Sequence, residues 1–298
     1  MQEKEQDRTA VATVFCQTRR NENMIWIVTD TAQELSSDPE KGFEAVRLPI
    51  TVNGEEPAEE ISREVFYQLL EDDEVSLKTS QATPADFEQI FRKLTEDGDE
   101  VLGIFLSSTL SGTFNSARLA AMEFDNIWLV DSGQACLSQS ALVKRALQLR
   151  EQGKNAQEIA AQLEKDKKRV HLLAVVPSLK YLKKGGRISP AAAAVGDLIG
   201  IKPVVTINEN GEVVVDSKAR GLKKGMKNIV SKAEELRLDP AMPVVFGYSG
   251  MDDANARKLQ EECSHLVSTD EEPLSLSEVL AVHAGPDAAG IGFFAEED

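Results

Sequence analysis

The sequence predicts an α/β protein of two domains. Its 298 residues are enough for one large or two medium domains, each with a core of its own. Apolar runs alternate with helical patterns through the first half, which favours a parallel sheet with helical crossovers. Two β-rich runs surround Asn210-Gly211 in the second half, and this pair is a strong hairpin signal, so the second sheet is predicted to be mixed. We expect a cleft between the two domains.

The first domain, predicted over 24–168, begins with an apolar run at 24–31 that suits a strand buried on both faces. A helix is predicted at 83–98, because Thr83 and Asp86 can form a capping box at its start. The patterns then indicate a strand at 100–108, a helix at 111–124, a strand at 126–132 and a helix at 134–152. This alternation of strand and helix predicts a parallel, Rossmann-like sheet.

The second domain, predicted over 169–298, begins after the charged stretch EKDKKR. Its predicted elements are a strand at 171–178, the hairpin, a helix from about Leu222, a strand at 243–250, a helix at 252–266 and closing strands at 277–285 and 288–295. Residues 1–23 lack the order of charged start, apolar middle and cleavage site that marks a secretory signal. They are interpreted as a loose extension.

Charge and composition argue against several classes of function. The chain has 33 basic and 50 acidic residues and a net charge of −17, so we expect no nucleic acid partner. Charged and polar groups interrupt each apolar run before the roughly 20 residues of a membrane span, so we expect no stable membrane insertion. The three cysteines, Cys16, Cys136 and Cys263, show neither metal-type spacing nor a disulfide framework. We expect no metal site and a cytoplasmic location.

The stretch SSTLSGT, residues 107–113, is the main candidate site. It lies where a strand ends and a helix begins, which in open parallel sheets is the edge where ligands bind. Free N–H groups and the helix dipole would let Ser111, Gly112 and Thr113 bind an anion without a basic side chain. The alternative is that Ser111 only caps its own helix, although five hydroxyls exceed what one cap requires.

A second hydroxyl loop, KTSQATP, contains Thr79 and Ser80 and precedes the helix at 83–98. If the two loops converge, Thr79 and Ser111 can donate to one acidic headgroup. If they do not, Thr79 is an ordinary polar loop residue. His283 follows a predicted strand, before a loop rich in glycine; it is either functional or bonded to a nearby carbonyl.

Two arginines are further candidates for binding a charged group. Arg187 lies on a Gly-Gly turn and Arg220 ends the hairpin. The bidentate guanidinium fork suits phosphate, and the alternative for each arginine is a surface ion pair.

Eight short stretches, in this order, resemble the DegV family: VTDT, TSQ, SSTLSGT, VDS, GGRIS, IKP, KAR and HAG. The resemblance extends from Met24 to the C-terminus. It implies a bacterial protein of two α/β domains that binds a long-chain fatty acid in a deep tunnel at their junction, with no separate cofactor. It also implies an acyl-carrying subunit of a fatty acid kinase, which presents the carboxyl group to a separate catalytic subunit.

By this resemblance, Thr79 and Ser111 would hold the carboxylate, with His283 nearby. Arg187 and Arg220 would face the kinase partner or the acyl phosphate. Ser80, Gly112 and Thr113 complete the implied ligand-binding set.

The sequence departs from the family pattern at two places. Ala82 and Thr83 replace the usual proline and serine after TSQ, and Asp287 stands where glycine is usual. Asp287 would put an acid beside the presumed anion site.

Two other classes of function are weighed against a lipid carrier. A serine acyl hydrolase would use Ser111 as nucleophile and His283 as base, but Ser111 lies in no G-x-S-x-G elbow and only Asp287 could orient the histidine. A nucleotide-binding module would need a phosphate loop, and neither G-x-G-x-x-G nor G-x-x-x-x-G-K-S/T occurs. Burial of about 16 carbons could supply on the order of 12 kcal/mol before ordering costs, so lipid binding is favoured.

Overall fold

The computed structural model describes residues 24–190 and 200–297. The strands are β1 (Ile25–Asp30), β2 (Phe43–Val46), β3 (Ile50–Val52), β4 (Leu77–Thr79), β5 (Glu100–Phe105), β6 (Ile127–Asp131), β7 (Val170–Val175), β8 (Ile201–Ile207), β9 (Val213–Arg220), β10 (Val245–Tyr248), β11 (Leu274–Ser275) and β12 (Ala289–Phe294). The helices are α1 (Arg63–Glu71), α2 (Pro84–Thr95), α3 (Thr113–Ala121), α4 (Cys136–Glu151), α5 (Ala156–Asp166), α6 (Lys180–Lys184), α7 (Leu222–Glu235), α8 (Ala254–Glu262) and α9 (Glu278–Ala284). The predicted extension 1–23, with Cys16, lies outside the described residues.

The described strands form three sheets. The first is a four-stranded parallel sheet of order β2-β1-β5-β6, and the second is a six-stranded mixed sheet of order β11-β10-β12-β7-β8-β9. A small antiparallel sheet pairs β3 with β4. The predicted α/β class, with one parallel and one mixed sheet, is confirmed.

Local sequence signals account for several of these elements. Ile27 and Leu102 are fully buried in the central strands β1 and β5, as continuous apolar runs in a parallel sheet require. Thr83 and Asp86 form the predicted capping box at the start of α2. The hairpin of β8 and β9 is also confirmed, and Gly211 in its loop has a φ of 75°, which favours glycine.

The prediction of a strand at 277–285 is wrong, because most of this run forms helix α9. A short apolar run cannot be assigned to strand or helix from periodicity alone. Contacts far along the chain decide it: Glu34 accepts the backbone N–H of Ser277 at 2.7 Å, and the Ser277 hydroxyl donates to the Thr31 carbonyl at 3.1 Å. Helix α5 is an unpredicted element that ends inside the charged stretch, with a capping box between Asn155 and Glu158.

Helix α4 packs closely on the second sheet although its sequence lies in the first predicted domain. A Cβ atom on Gly292 of β12 would lie 2.2 Å from the carbonyl of Leu137, so glycine permits this approach of helix and strand. The same helix contacts β1. The division of the chain at residue 168 stays a prediction.

The segment from β3 to β4 packs against α9. Phe66 and Leu70 of α1 and Leu77 of β4 share an apolar cluster with Ala281 and Val282 of α9. This cluster brings the end of β4 beside the end of α9. Within the described ranges, no helix is long and apolar enough to cross a membrane.

Candidate functional site

An apolar cavity lies against the six-stranded sheet, and concave, mostly apolar sites of this kind are typical of ligand binding. Strands β7, β8, β9, β10 and β12 contribute to its wall, together with α9, the first residues of α4 and loops of the first sheet. Apolar side chains make up most of this wall. Among the described residues that line it, Arg187 is the one with a charged side chain at neutral pH.

The polar end of the cavity is formed by Thr79, Ser80, Ser111, Arg187 and His283. The two hydroxyl loops identified in the sequence therefore meet at one cavity. The apolar cluster of α1, β4 and α9 holds the first loop beside α9, and helices α2 and α3, which follow the two loops, contact each other.

His283 is neutral and tied to Thr79. Burial, with the positive charge of Arg187 as a smaller cause, lowers the pKa of His283 to about 4. Its Nε2 lies 2.9 Å from Thr79 Oγ1, whereas its buried Nδ1 has no hydrogen-bond partner within the described residues. A buried N–H without an acceptor is rare, so the hydrogen belongs on Nε2. His283 then donates to Thr79 and leaves the threonine hydrogen free for a ligand.

Gly185 makes room for this imidazole. A Cβ atom at residue 185 would lie 2.2 Å from Nδ1 of His283 and 3.3 Å from the Tyr181 carbonyl oxygen. Any other residue at this position would displace the histidine from Thr79. The first glycine of the Gly-Gly turn thus contributes to the site.

Ser111 both caps a backbone group and lines the cavity. Its Oγ accepts the backbone N–H of Thr113 at 3.3 Å and lies 2.9 Å from Thr113 Oγ1. When the buried Thr113 hydroxyl donates to Ser111, the Ser111 hydrogen is available to a ligand. Thr113 and Gly112 lie behind Ser111 and do not line the cavity.

The other hydroxyls of the SSTLSGT stretch have a different use. Ser107 Oγ donates to the Gly211 carbonyl at 2.9 Å, and Thr109 Oγ1 donates to the Asn210 carbonyl at 2.8 Å. Both carbonyls belong to the hairpin loop of the second sheet. These two side chains connect the loop after β5 to the hairpin between β8 and β9. The sequence did not indicate this connection.

The two candidate arginines are placed differently. Arg187 lines the polar end and donates to the carbonyls of Leu110, at 3.2 Å, and Gly185, at 2.6 Å. Arg220 is exposed at the end of β9, outside the cavity wall. The two therefore do not converge in the cavity.

Asp287 does not line the cavity, although its neighbour Ala288 does, and an acid beside the anion site stays a prediction. The residue is exposed and has a φ of 59°. Glycine adopts this left-handed backbone most easily, and aspartate tolerates it better than most residues.

The geometry does not support a serine nucleophile. His283 pairs with Thr79 instead of Ser111, and no carboxylate within the described residues accepts from its Nδ1. With a pKa near 4, the imidazole is also too weak a base to take a proton from a serine at neutral pH. In the same described residues, no group of three or more His, Cys, Asp or Glu could hold a metal ion.

Cys136 and Tyr248 are wall residues that sequence reasoning missed. Cys136 begins α4 with a φ of 61° and donates its backbone N–H to Ala32. Burial, and then the charge of Glu34, raise the pKa of its thiol, so the sulfur behaves as an apolar surface. No spacing in the sequence links these residues to the hydroxyl loops.

The family model described as "Uncharacterised protein, DegV family" matches residues 24–296. A DegV domain-containing protein of Caldanaerobacter subterraneus subsp. tengcongensis is 31% identical over 284 residues, which cover 92% of this chain and 99% of that protein. Similarity therefore extends over nearly the whole length of both.

Two solved structures have the same fold. A DegV family protein from Thermus thermophilus, described by its fatty acid binding, is 32% identical with a TM-score of 0.81, and the match covers 92% of this chain and 100% of that one. A fatty acid (stearic acid)-binding protein from Eubacterium ventriosum is 26% identical with a TM-score of 0.78, covering 91% of this chain and 98% of that one.

Proposed function

Because the chain belongs to the DegV family, we propose that it binds a long-chain fatty acid in the apolar cavity and presents the carboxyl group to a separate kinase subunit. The observation that carries this proposal is the cavity itself, which is apolar along its length and has Thr79 and Ser111 at its polar end. The protein acts as a carrier and performs no bond chemistry of its own.

The cavity wall extends across much of the second sheet. It includes residues of β10, β12, β7, β8 and β9, which are consecutive neighbours in the sheet. Five strands about 4.8 Å apart extend over roughly 19 Å. A wall that crosses five strands can run alongside a long acyl chain.

The polar end suits an ionised carboxylate. Such a group is costly to remove from water unless hydrogen bonds replace its hydration. When His283 donates to Thr79 and Thr113 donates to Ser111, each of the two hydroxyls has a hydrogen for the carboxylate, and Arg187 adds a positive charge nearby. Hydrogen bonds to a charged acceptor are about twice as strong as neutral ones.

Charge distribution favours a partner that carries an acidic surface. Residues 178–232 contain eleven lysines and arginines against four acidic residues, although the whole chain has a net charge of −17. Arg220 and Lys218 are exposed in this region. The kinase subunit would dock through an acidic surface and transfer the terminal phosphoryl group of a nucleoside triphosphate to a carboxylate oxygen, which yields acyl phosphate and nucleoside diphosphate.

Native mass spectrometry of the purified protein tests the proposed ligand. We expect a bound long-chain fatty acid, and a much lower lipid load in the double variant Thr79→Ala with Ser111→Ala. Ser108→Ala is the matched control, because Ser108 is an exposed hydroxyl in the same loop. An unchanged load in the double variant would remove both hydroxyls from the headgroup site.

The partner is tested with Arg220→Ala. This exposed residue lies outside the cavity, so the variant should keep its lipid while acyl phosphate forms more slowly with the cognate kinase subunit. Arg187 lines the cavity, so Arg187→Ala is expected to affect both lipid load and phosphorylation. Loss of lipid in Arg220→Ala would contradict this division.

A further inference from the structure

The two hydroxyls at the polar end lie on different loops, and the first loop packs with α9 through Leu77 and with the main core through Ala82. Thr79 ends β4, and Leu77 of the same strand packs with α1 and α9. Ser111 precedes α3, whose Ala117 and Ala120 pack in the main core. One carboxylate can accept from both hydroxyls only if the two loops keep a fixed separation, because hydrogen bonds weaken steeply with distance and angle.

Gln81 spans these two loops. It lies two residues after Thr79, and its Nε2 donates to Ser116 Oγ of α3 at 2.9 Å. The Ser116 side chain is almost fully buried, and within the described residues Gln81 is the one partner of its hydroxyl. The side chain of Gln81 therefore ties the loop after β4 to the first turns of α3.

Gly112 makes the space for this side chain. Its φ of −74° and ψ of 0° are open to any residue, so the backbone does not require glycine there. A Cβ atom at residue 112 would lie 1.9 Å from Gln81 Oε1 and 2.6 Å from its Cδ. The space beside Gly112, which the sequence suggested for a ligand, is thus filled by the Gln81 amide.

We propose that Gln81 is a positioning residue, which fixes the separation of the Thr79 and Ser111 hydroxyls by packing its amide on Gly112 and bonding to Ser116. The inference rests on the proposed function, since the separation matters only if a carboxylate binds between the hydroxyls. Gln81 itself does not line the cavity and need not touch the ligand.

The first test compares hexadecanoic acid with hexadecan-1-ol, using protein stripped of lipid. The acid uses both hydroxyls, whereas the alcohol needs only one. We expect Gln81→Ala to weaken binding of the acid about tenfold, the loss of roughly one hydrogen bond to a charged group, with little change for the alcohol. Gln89→Ala is the matched control, because Gln89 is exposed on α2, away from the cavity. Equal weakening of both ligands would indicate a general structural role and overturn the proposal.

The second test is a double-mutant cycle between residues 81 and 112. Gly112→Ala alone should weaken acid binding about as much as Gln81→Ala, since the added Cβ expels the amide. In the Gln81→Ala background the same Cβ meets none of these atoms, so adding Gly112→Ala should change the affinity by less than about twofold. Independent, additive losses would show that Gly112 acts for another reason and overturn the proposal.

Failure of the proposed function gives a different result. Wild-type protein would then bind the acid and the alcohol equally, or bind neither. If the wild type prefers the acid and Gln81→Ala keeps the full preference, the role of Gln81 is wrong and the proposed function stands.

Discussion

A buried ionisable side chain contacts each end of helix α9, but the pKa of one is raised and the pKa of the other is lowered. At the start, Glu34 accepts from the Ser277 backbone N–H and hydroxyl at 2.7 and 3.2 Å. Near the end, His283 lies 2.9 Å from Thr79. Burial is the first cause of both shifts: it raises the pKa of Glu34 to about 8 and lowers the pKa of His283 to about 4.

The comparison shows that burial penalises charge of either sign. An acid keeps its proton to higher pH and a base loses its proton at lower pH, so both ends of α9 are neutral between these pKa values. Other charges modify the shifts less: Glu278 and Arg63 act in opposite directions on Glu34, and Arg187 lowers the pKa of His283 further. We therefore expect Glu34 to lower the free energy of unfolding at high pH and His283 to lower it at low pH.

The largest effect is expected at Glu34. Its folded pKa lies above the ordinary value of 4.5, so its stabilisation is complete below that pH and is lost as pH rises through about 8. Glu34→Gln keeps an acceptor for Ser277 and removes the titration. In urea unfolding, the wild type should lose on the order of a few kcal/mol between pH 5 and 9, and the variant much less. Glu40→Gln, at an exposed carboxylate, is the control. If Glu34→Gln loses as much unfolding free energy between pH 5 and 9 as the wild type does, Glu34 is not the group that titrates.

A somewhat smaller and opposite effect is expected at His283. Its folded pKa lies below the ordinary 6.5, so its stabilisation is present above that pH and is lost as pH falls through about 4. His283→Gln should flatten this acid-side loss of unfolding free energy while the alkaline side stays as in the wild type. His265→Gln serves as control, because His265 is exposed and pairs with Glu234. If the two histidine variants behave alike, burial of His283 is not the cause.

The smallest effect is expected from Ser277→Ala. The variant keeps the backbone N–H that Glu34 accepts and loses the hydroxyl, which lies 3.1 Å from the Thr31 carbonyl oxygen and 3.2 Å from Glu34. The loss of unfolding free energy should be about 1 kcal/mol at pH 6, measured by urea unfolding. Ser231→Ala on α7, at an exposed serine, should change nothing. If Ser277→Ala lowers the free energy of unfolding as much as removal of the Glu34 carboxyl does, the Ser277 hydroxyl is the main contact at the start of α9.

Several features of the site follow from sequence because they depend on near neighbours. Thr83 and Asp86 are three residues apart and form the capping box that begins α2. The SSTLSGT stretch begins at the end of a buried strand, so its place at the edge of the parallel sheet could be predicted. Asn210-Gly211 predicted the hairpin for the same reason.

Other features could not be predicted, because atoms far along the chain decide them. Ser107 and Ser111 are chemically alike in the same loop, yet one donates to Gly211 and the other lines the cavity. Gly112 has an ordinary backbone and is needed only for the Gln81 amide.

The sequence by itself determined the α/β class, the parallel and mixed sheets and the two hydroxyl loops, because periodicity, capping and turn chemistry act within a few residues. Only the tertiary structure decided that 278–284 is a helix, that Thr79 pairs with His283 and that Thr79 and Ser111 line the same cavity. The reason is physical. Burial and hydrogen-bond geometry depend on which surfaces pack together, and packing joins residues that no local pattern connects.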